Sequence, residues 1–247
     1  MTRLRRRRAP ELMSAASRLI VALDSNTLQD ALHLAKQLRG VVHYAKIGST
    51  LFTAVGPVAI QRLRALGFEV MLDLKFLDIP STVEKSCRAA VQHRVWMLTV
   101  HASGQPQMLE AAAAGVRREA ARLGVRRPRV IGVTVLTSVD VRDRQATTAR
   151  VLELSTQAKR AGLDGVVVSA WEVPAVRRRL GNDVLVVCPG IRPLRSPASD
   201  QKRVASPREA LARGADFLVV GRPISEAKNP RRAVQQILAE INFPEEH

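Results

Sequence analysis

The sequence predicts a (β/α)8 TIM barrel, on three observations. Eight short runs rich in Val, Ile and Leu recur along the 247 residues. Amphipathic segments with helical spacing lie between them, most stopped by a glycine near the C-terminal end. The runs are apolar on both faces, as parallel strands covered by right-handed crossover helices must be. A doubly wound open sheet uses the same units, but no GxGxxG turn follows the first run to recommend it.

Taken in order, LIVALD (19–24) is the first expected strand, returned by the helical pattern TLQDALHLAKQLRG. The second, VVHYAKIG (41–48), precedes the helix GPVAIQRLRALG, and the third, FEVMLDLKF (68–76), precedes STVEKSCRAAVQH. WMLTVHAS (96–103) is the fourth, followed by the long helix QPQMLEAAAAGVRREAARLG, and VIGVTVLT (130–137) the fifth, followed by the helix VLELSTQAKRAG. GVVVSA (165–170), VLVVCPGI (184–191) and FLVVGRPI (217–224) complete the eight. Residues 18–247 are thus expected to form one barrel domain, and residues 1–17 a disordered basic tail carrying Arg3 and Arg5 to Arg8.

Composition narrows the setting. The formal net charge is +17, a balance that suits anionic ligands or nucleic acid. Aromatic residues are only 3% of the chain, few for a base-stacking surface, so the arginines spread through the helices read as solvated faces and no specific nucleic acid is expected. Cys87 and Cys188 fall in an expected helix and an expected strand, without metal-ligand spacing, and read as reduced core thiols of a cytoplasmic protein. No apolar stretch reaches the roughly 18 residues of a membrane span, and no secretory signal opens the chain. No metal or other cofactor is called for.

A barrel places its chemistry where the strands end. Asp24, Lys46, Asp73 with Lys75, His101 with Ser103, and Thr137 close the first five strands, and Arg192 and Arg222 follow the seventh and eighth. The period of two puts Asp73 and Lys75 on one inward face, with Asp78 just past the strand. Buried charges of both signs in one place are costly unless paired, and they gather where charge is used. His101 reads as a hydrogen-bonded structural residue. The loops after strands seven and eight of such barrels commonly bind phosphate. Arg192 and Arg222 could grip it bidentately, Gly221 would allow close approach and Gln201 would add an amide donor. A phosphorylated small molecule follows.

The ordered elements VALD, KIGSTLF, LDLKFLDIPSTV, VHASG, VTVLTS, DGVVVSA, PGIRP…DQKRV and VVGRPI closely resemble the orotidine 5′-phosphate decarboxylase family, over roughly residues 18–240. The resemblance implies conversion of orotidine 5′-phosphate (OMP) to UMP and CO2 in pyrimidine biosynthesis, without metal or cofactor. It implies that Lys75 is the proton donor, Asp73 its charged neighbour near the substrate carboxylate, Lys46 the partner of both acids and Asp24 a ribose contact. Thr137 would hold the pyrimidine edge, and Arg192, Gln201, Gly221 and Arg222 the phosphate. It also implies a homodimer whose sites are completed across the interface by Asp78 and Thr82. Two other readings are a Mg2+-dependent sugar-phosphate decarboxylase or aldolase on the same barrel, and a non-catalytic barrel that binds nucleic acid.

Overall fold

Eight parallel strands in sequential order close on themselves in the computed structural model, which describes residues 14–138, 143–193 and 204–242. They are β1 (Leu19–Ala22), β2 (Tyr44–Gly48), β3 (Glu69–Phe76), β4 (Met97–His101), β5 (Arg129–Val133), β6 (Gly165–Val167), β7 (Leu185–Cys188) and β8 (Phe217–Val220). The last pairs with the first, Val21 against Val220, so no edge is left open. The (β/α)8 expectation holds: seven of the expected runs contain their strand, and β5 begins one residue ahead of its run, at Arg129.

Most runs overshoot the strand at its C-terminal end. β6 stops at Val167 although Val168 and Ala170 are buried, and β8 stops at Val220 although Ile224 is buried. Chain leaving the barrel still packs beneath the helices, so apolar character outlasts the ladder. Thr137 is therefore not at the end of a strand: β5 ends at Val133, and Thr137 sits in the turn beyond it.

The helical layer comprises α1 (Leu28–Leu38), α2 (Ser49–Val55), α3 (Val58–Ala65), α4 (Pro80–Gln92), α5 (Pro106–Leu123), α6 (Arg144–Arg160), α7 (Val173–Leu180), α8 (Pro207–Ala212), α9 (Arg222–Ser225) and α10 (Pro230–Asn242). α6 begins seven residues ahead of its expected start because Asp143 caps it, accepting from the Gln145 and Ala146 N–H groups. Residues 144–150 of the segment between β5 and the expected helix are thus helical. Ala15–Ser17 form one 3-10 turn with Ala15 buried, so packed chain starts just ahead of residue 18, and residues 1–13 lie outside the described residues.

The core has two parts. Outward strand residues and the helices share the larger one, while Ile20, Ala22, Met71, Trp96, Met97, Ile131, Val187, Phe217 and Val219 fill the barrel. At its base Tyr44 stacks on Trp96 at 3.9 Å, Phe217 meets both edge-on, and the Arg129 guanidinium lies 5.1 Å from the Trp96 ring centre. This plug fixes the level of what stands above it. Two residues on from Tyr44 is Lys46, from Met71 Asp73 and from Met97 Thr99, so the polar residues form the layer over an apolar floor. Cys87 and Cys188 are both buried and unpaired, and burial pushes the Cys87 thiol up to about 12, which suits inert core thiols.

Candidate active site

β1, β2 and β3 lie side by side, and Asp24 just past β1, Lys46 of β2, and Asp73 and Lys75 of β3 meet at one spot. Lys46 of β2 donates from Nζ to Asp24 Oδ1 at 2.8 Å and stands 3.6 Å from Asp73 Oδ2. Lys75 Nζ donates to the same Asp73 oxygen at 2.9 Å. Two acids and two ammonium groups thus alternate as Asp24, Lys46, Asp73, Lys75, and the formal charges cancel. That balance is what makes the burial of Lys46, 8% exposed, tolerable.

Burial pushes the Asp73 carboxyl up, and the charges of Lys46 and Lys75, with hydrogen bonds from Lys75 and Thr99, more than offset it, so the group sits below its ordinary value of 3.8. Asp73 is consequently an anion at neutral pH. The period of two is not what brings Lys75 to it. Lys75 has a left-handed backbone, φ 52°, and the pairing of β3 with β4 shifts between Leu72 and Phe76. The strand bulges there, and the bulge aims the lysine.

A cavity of about 510 Å3 opens above these charges. Asp24, Lys46, Asp73 and Lys75 line one part of it, and Thr137, Arg192, Gly221 and Arg222 also line it. Arg192 follows β7, with its N–H donating to the Ala205 carbonyl at 2.9 Å, and Arg222 is the first residue of the short α9, with Gly221 as its cap. A Cβ on Gly221 would lie 3.5 Å from that of Ala22, ordinary contact, so the glycine keeps the floor open without being required by packing. Gln201 lies outside the described residues.

Asp78 and Thr82 are not part of this lining. Both are exposed on the rim, Asp78 with its Oδ1 accepting from the Ile79 N–H, beside the exposed apolar side chains of Leu77 and Ile79. His101 is half-buried at the end of β4, its Nδ1 2.6 Å from Ser103 Oγ. Burial and the charge of Lys75 lower its pKa, so it stays neutral beside the lysine.

Two residues escaped the sequence reading. Thr99 bonds Asp73 from β4, and its signal was a lone hydroxyl at inward parity in the run MLTVH. Gly48 ends β2 where a Cβ would lie 2.8 Å from Asp24 Oδ1 and 3.0 Å from Lys46 Nζ, so only hydrogen fits beside that ion pair.

Residues 17–237 match the family model described as "Orotidine 5'-phosphate decarboxylase / HUMPS family". An orotidine 5′-phosphate decarboxylase of Teredinibacter turnerae is 46% identical over 229 residues, covering 90% of this chain and 97% of that protein. One of Nitrosococcus oceani is 45% identical over 236 residues, covering 92% and 98%. Among solved structures, orotidine 5′-phosphate decarboxylase from Lactobacillus acidophilus superposes with a TM-score of 0.79 at 34% identity, covering 92% of this chain and 100% of that one.

Proposed function

Because the chain belongs to the orotidine 5′-phosphate decarboxylase / HUMPS family and is a carboxy-lyase converting OMP to UMP and CO2, we propose that Lys75 is the group that protonates the ring carbon as CO2 leaves. The observation that carries this reading is one ammonium group, Lys75, held at 2.9 Å by an anionic Asp73 on the wall of a cavity also lined by Arg192 and Arg222.

The chemistry explains the arrangement. Loss of CO2 leaves an electron pair on an sp2 ring carbon with no carbonyl placed to delocalise it, so unaided reaction is very slow. Charge appears late, and a preorganised ammonium group beside that carbon stabilises it and then supplies the proton. Asp73, facing the substrate carboxylate, would repel it by about 4 kcal/mol if the two charges stood ~4 Å apart at an effective dielectric near 20, a repulsion relieved as CO2 departs. Lys46 holds Asp73 and Asp24 in place from below. The step draws only on charges of the chain itself.

The remaining cavity residues account for the rest of the substrate. Arg192, Gly221, Arg222 and Gln201 would bind the phosphate, Asp24 the ribose hydroxyls and Thr137 the pyrimidine edge. Contacts remote from the broken bond can supply binding energy that orients the reacting carbon. Asp78 and Thr82 would complete the site of a second copy, and the exposed Leu77 and Ile79 beside them are side chains that such a homodimer would cover. A pyrimidine biosynthetic enzyme of this kind would work in the cytoplasm, and among the described residues no helix is long and apolar enough to cross a membrane.

The test is the fall in orotidylate absorbance, with UMP identified as product, on enzyme dialysed against EDTA. Full turnover without added metal is expected. Absence of UMP, or activity restored only by Mg2+, would overturn the reading in favour of a metal-dependent barrel enzyme.

A further inference from the structure

Three residues of β3, Asp73, Leu74 and Lys75, stand opposite the single residue Thr99 of β4, because Leu72 pairs with Leu98 and Phe76 with Val100. A regular parallel ladder would give each N–H on the shared edge a carbonyl partner, and this excess removes that option. Lys75 turns into the left-handed region, which side chains avoid, and its N–H meets a side chain instead: it donates to Thr99 Oγ1 at 3.0 Å. The Thr99 hydroxyl in turn donates to Asp73 Oδ1 at 2.9 Å.

A hydroxyl has one proton to give. Here it goes to the carboxylate, and a lone pair receives the lysine N–H. Since Lys75 Nζ donates to the other Asp73 oxygen at 2.9 Å, Lys75 is tied to Asp73 at both ends, directly through its ammonium group and through Thr99 at its backbone. The two contacts close a ring. Packing alone does not ask for this residue. Thr99 is completely buried, and inward positions lining the cavity from β5, β6 and β8 carry Val133, Val167 and Val219, so a valine of the same shape would fill its place.

We propose that Thr99 is a positioning residue for the decarboxylation, its hydroxyl holding the bulged Lys75 backbone and one oxygen of Asp73 so that the ammonium group meets the reacting carbon without reorganisation. The proposal deepens the assignment of Lys75 as proton donor and rests on it. Thr99 touches no part of the substrate in this account. Its removal should therefore spare ground-state binding and slow the step in which the lysine acts.

The experiment compares Thr99→Val, Thr99→Ser and Lys75→Ala with the wild type in kcat, KM for OMP, affinity for UMP and melting temperature. Thr99→Val is expected to lose roughly 10- to 100-fold in kcat, the loss that follows from removing hydrogen bonds to a charged pair. Its UMP affinity should move by less than about threefold, and serine, which restores the hydroxyl, should recover kcat to within about fivefold of the wild type. A valine variant within about twofold of wild-type kcat overturns the proposal, and so does a serine variant as slow as the valine one, or an effect confined to KM. If the valine variant does not fold, Thr99→Ala carries the same comparison. An active Lys75→Ala enzyme would bring down the proton-donor assignment and this inference together. An inactive one beside a fully active Thr99→Val would remove the inference alone.

Discussion

Alanine at Gly48 is expected to damage the active site while leaving the barrel intact. The new Cβ would lie 2.8 Å from Asp24 Oδ1 and 3.0 Å from Lys46 Nζ, the two atoms that form one ion pair at 2.8 Å. Ordinary carbon contacts begin roughly half an ångström further out, so both atoms must be displaced, and the Asp24 side chain, 54% exposed, is the one free to turn away from Lys46. The backbone offers no objection: φ is −90° and ψ −178°, extended values that alanine adopts freely. Lys46 is buried, and after losing Asp24 it keeps only the longer approach to Asp73 at 3.6 Å. A hydrogen bond to a charged group contributes about 1.5–3 kcal/mol, which expressed on the reaction is a loss of roughly 10- to 150-fold in kcat/KM. The assay is orotidylate absorbance, with thermal unfolding as the control for folding. A folded Gly48→Ala enzyme within about threefold of wild-type kcat/KM would refute the argument that this pair must stand undisturbed.

Two further outcomes are expected. If Asp78 completes the partner's site as proposed, mixing inactive Lys75→Ala and Asp78→Ala chains should restore part of the activity, because one of the two sites of a heterodimer would receive both intact residues; proven subunit exchange without activity would show that the site is not built across an interface. Glu119, 1% exposed between α4 and α5, has its carboxyl held down to about 2 from an ordinary 4.5, mainly by hydrogen bonds from Arg122 and Gln92, with Arg88 adding another. A depressed acid contributes stability that is complete above its unfolded value and is lost as pH falls through the folded one. Melting temperature of the wild type should therefore drop faster than that of Glu119→Gln between about pH 4.5 and 2, and parallel curves would contradict the assignment.

The barrel is legible in the sequence because each parallel strand, covered on both sides, must be continuously apolar, and each return helix leaves a period and a stop. Strand ends are less so, since Val168, Ile191 and Ile224 stay buried after the ladder has finished. Most of the charged site is legible for the opposite reason: Asp24, Lys46, Asp73 and Lys75 interrupt apolar runs in which charges are expensive. Thr99 is not, because a threonine in a strand is ordinary and its meaning depends on a bulge in the neighbouring strand. Period-two reasoning put Asp73 and Lys75 together, yet the contact is made through a left-handed residue that no periodicity encodes. Gly48 is silent for a similar reason, since one of the atoms it makes room for belongs to Asp24, past the end of a different strand.

Turnover of OMP by Lys75→Ala, measured beside its affinity for UMP, tests the central claim most directly. The ammonium group of Lys75 is held at 2.9 Å from Asp73, on the wall of the cavity that Arg192 and Arg222 also line. Its removal is expected to slow decarboxylation by about 10³-fold or more while UMP still binds. Retention of more than about a tenth of wild-type activity would contradict the assignment of Lys75 as the proton donor.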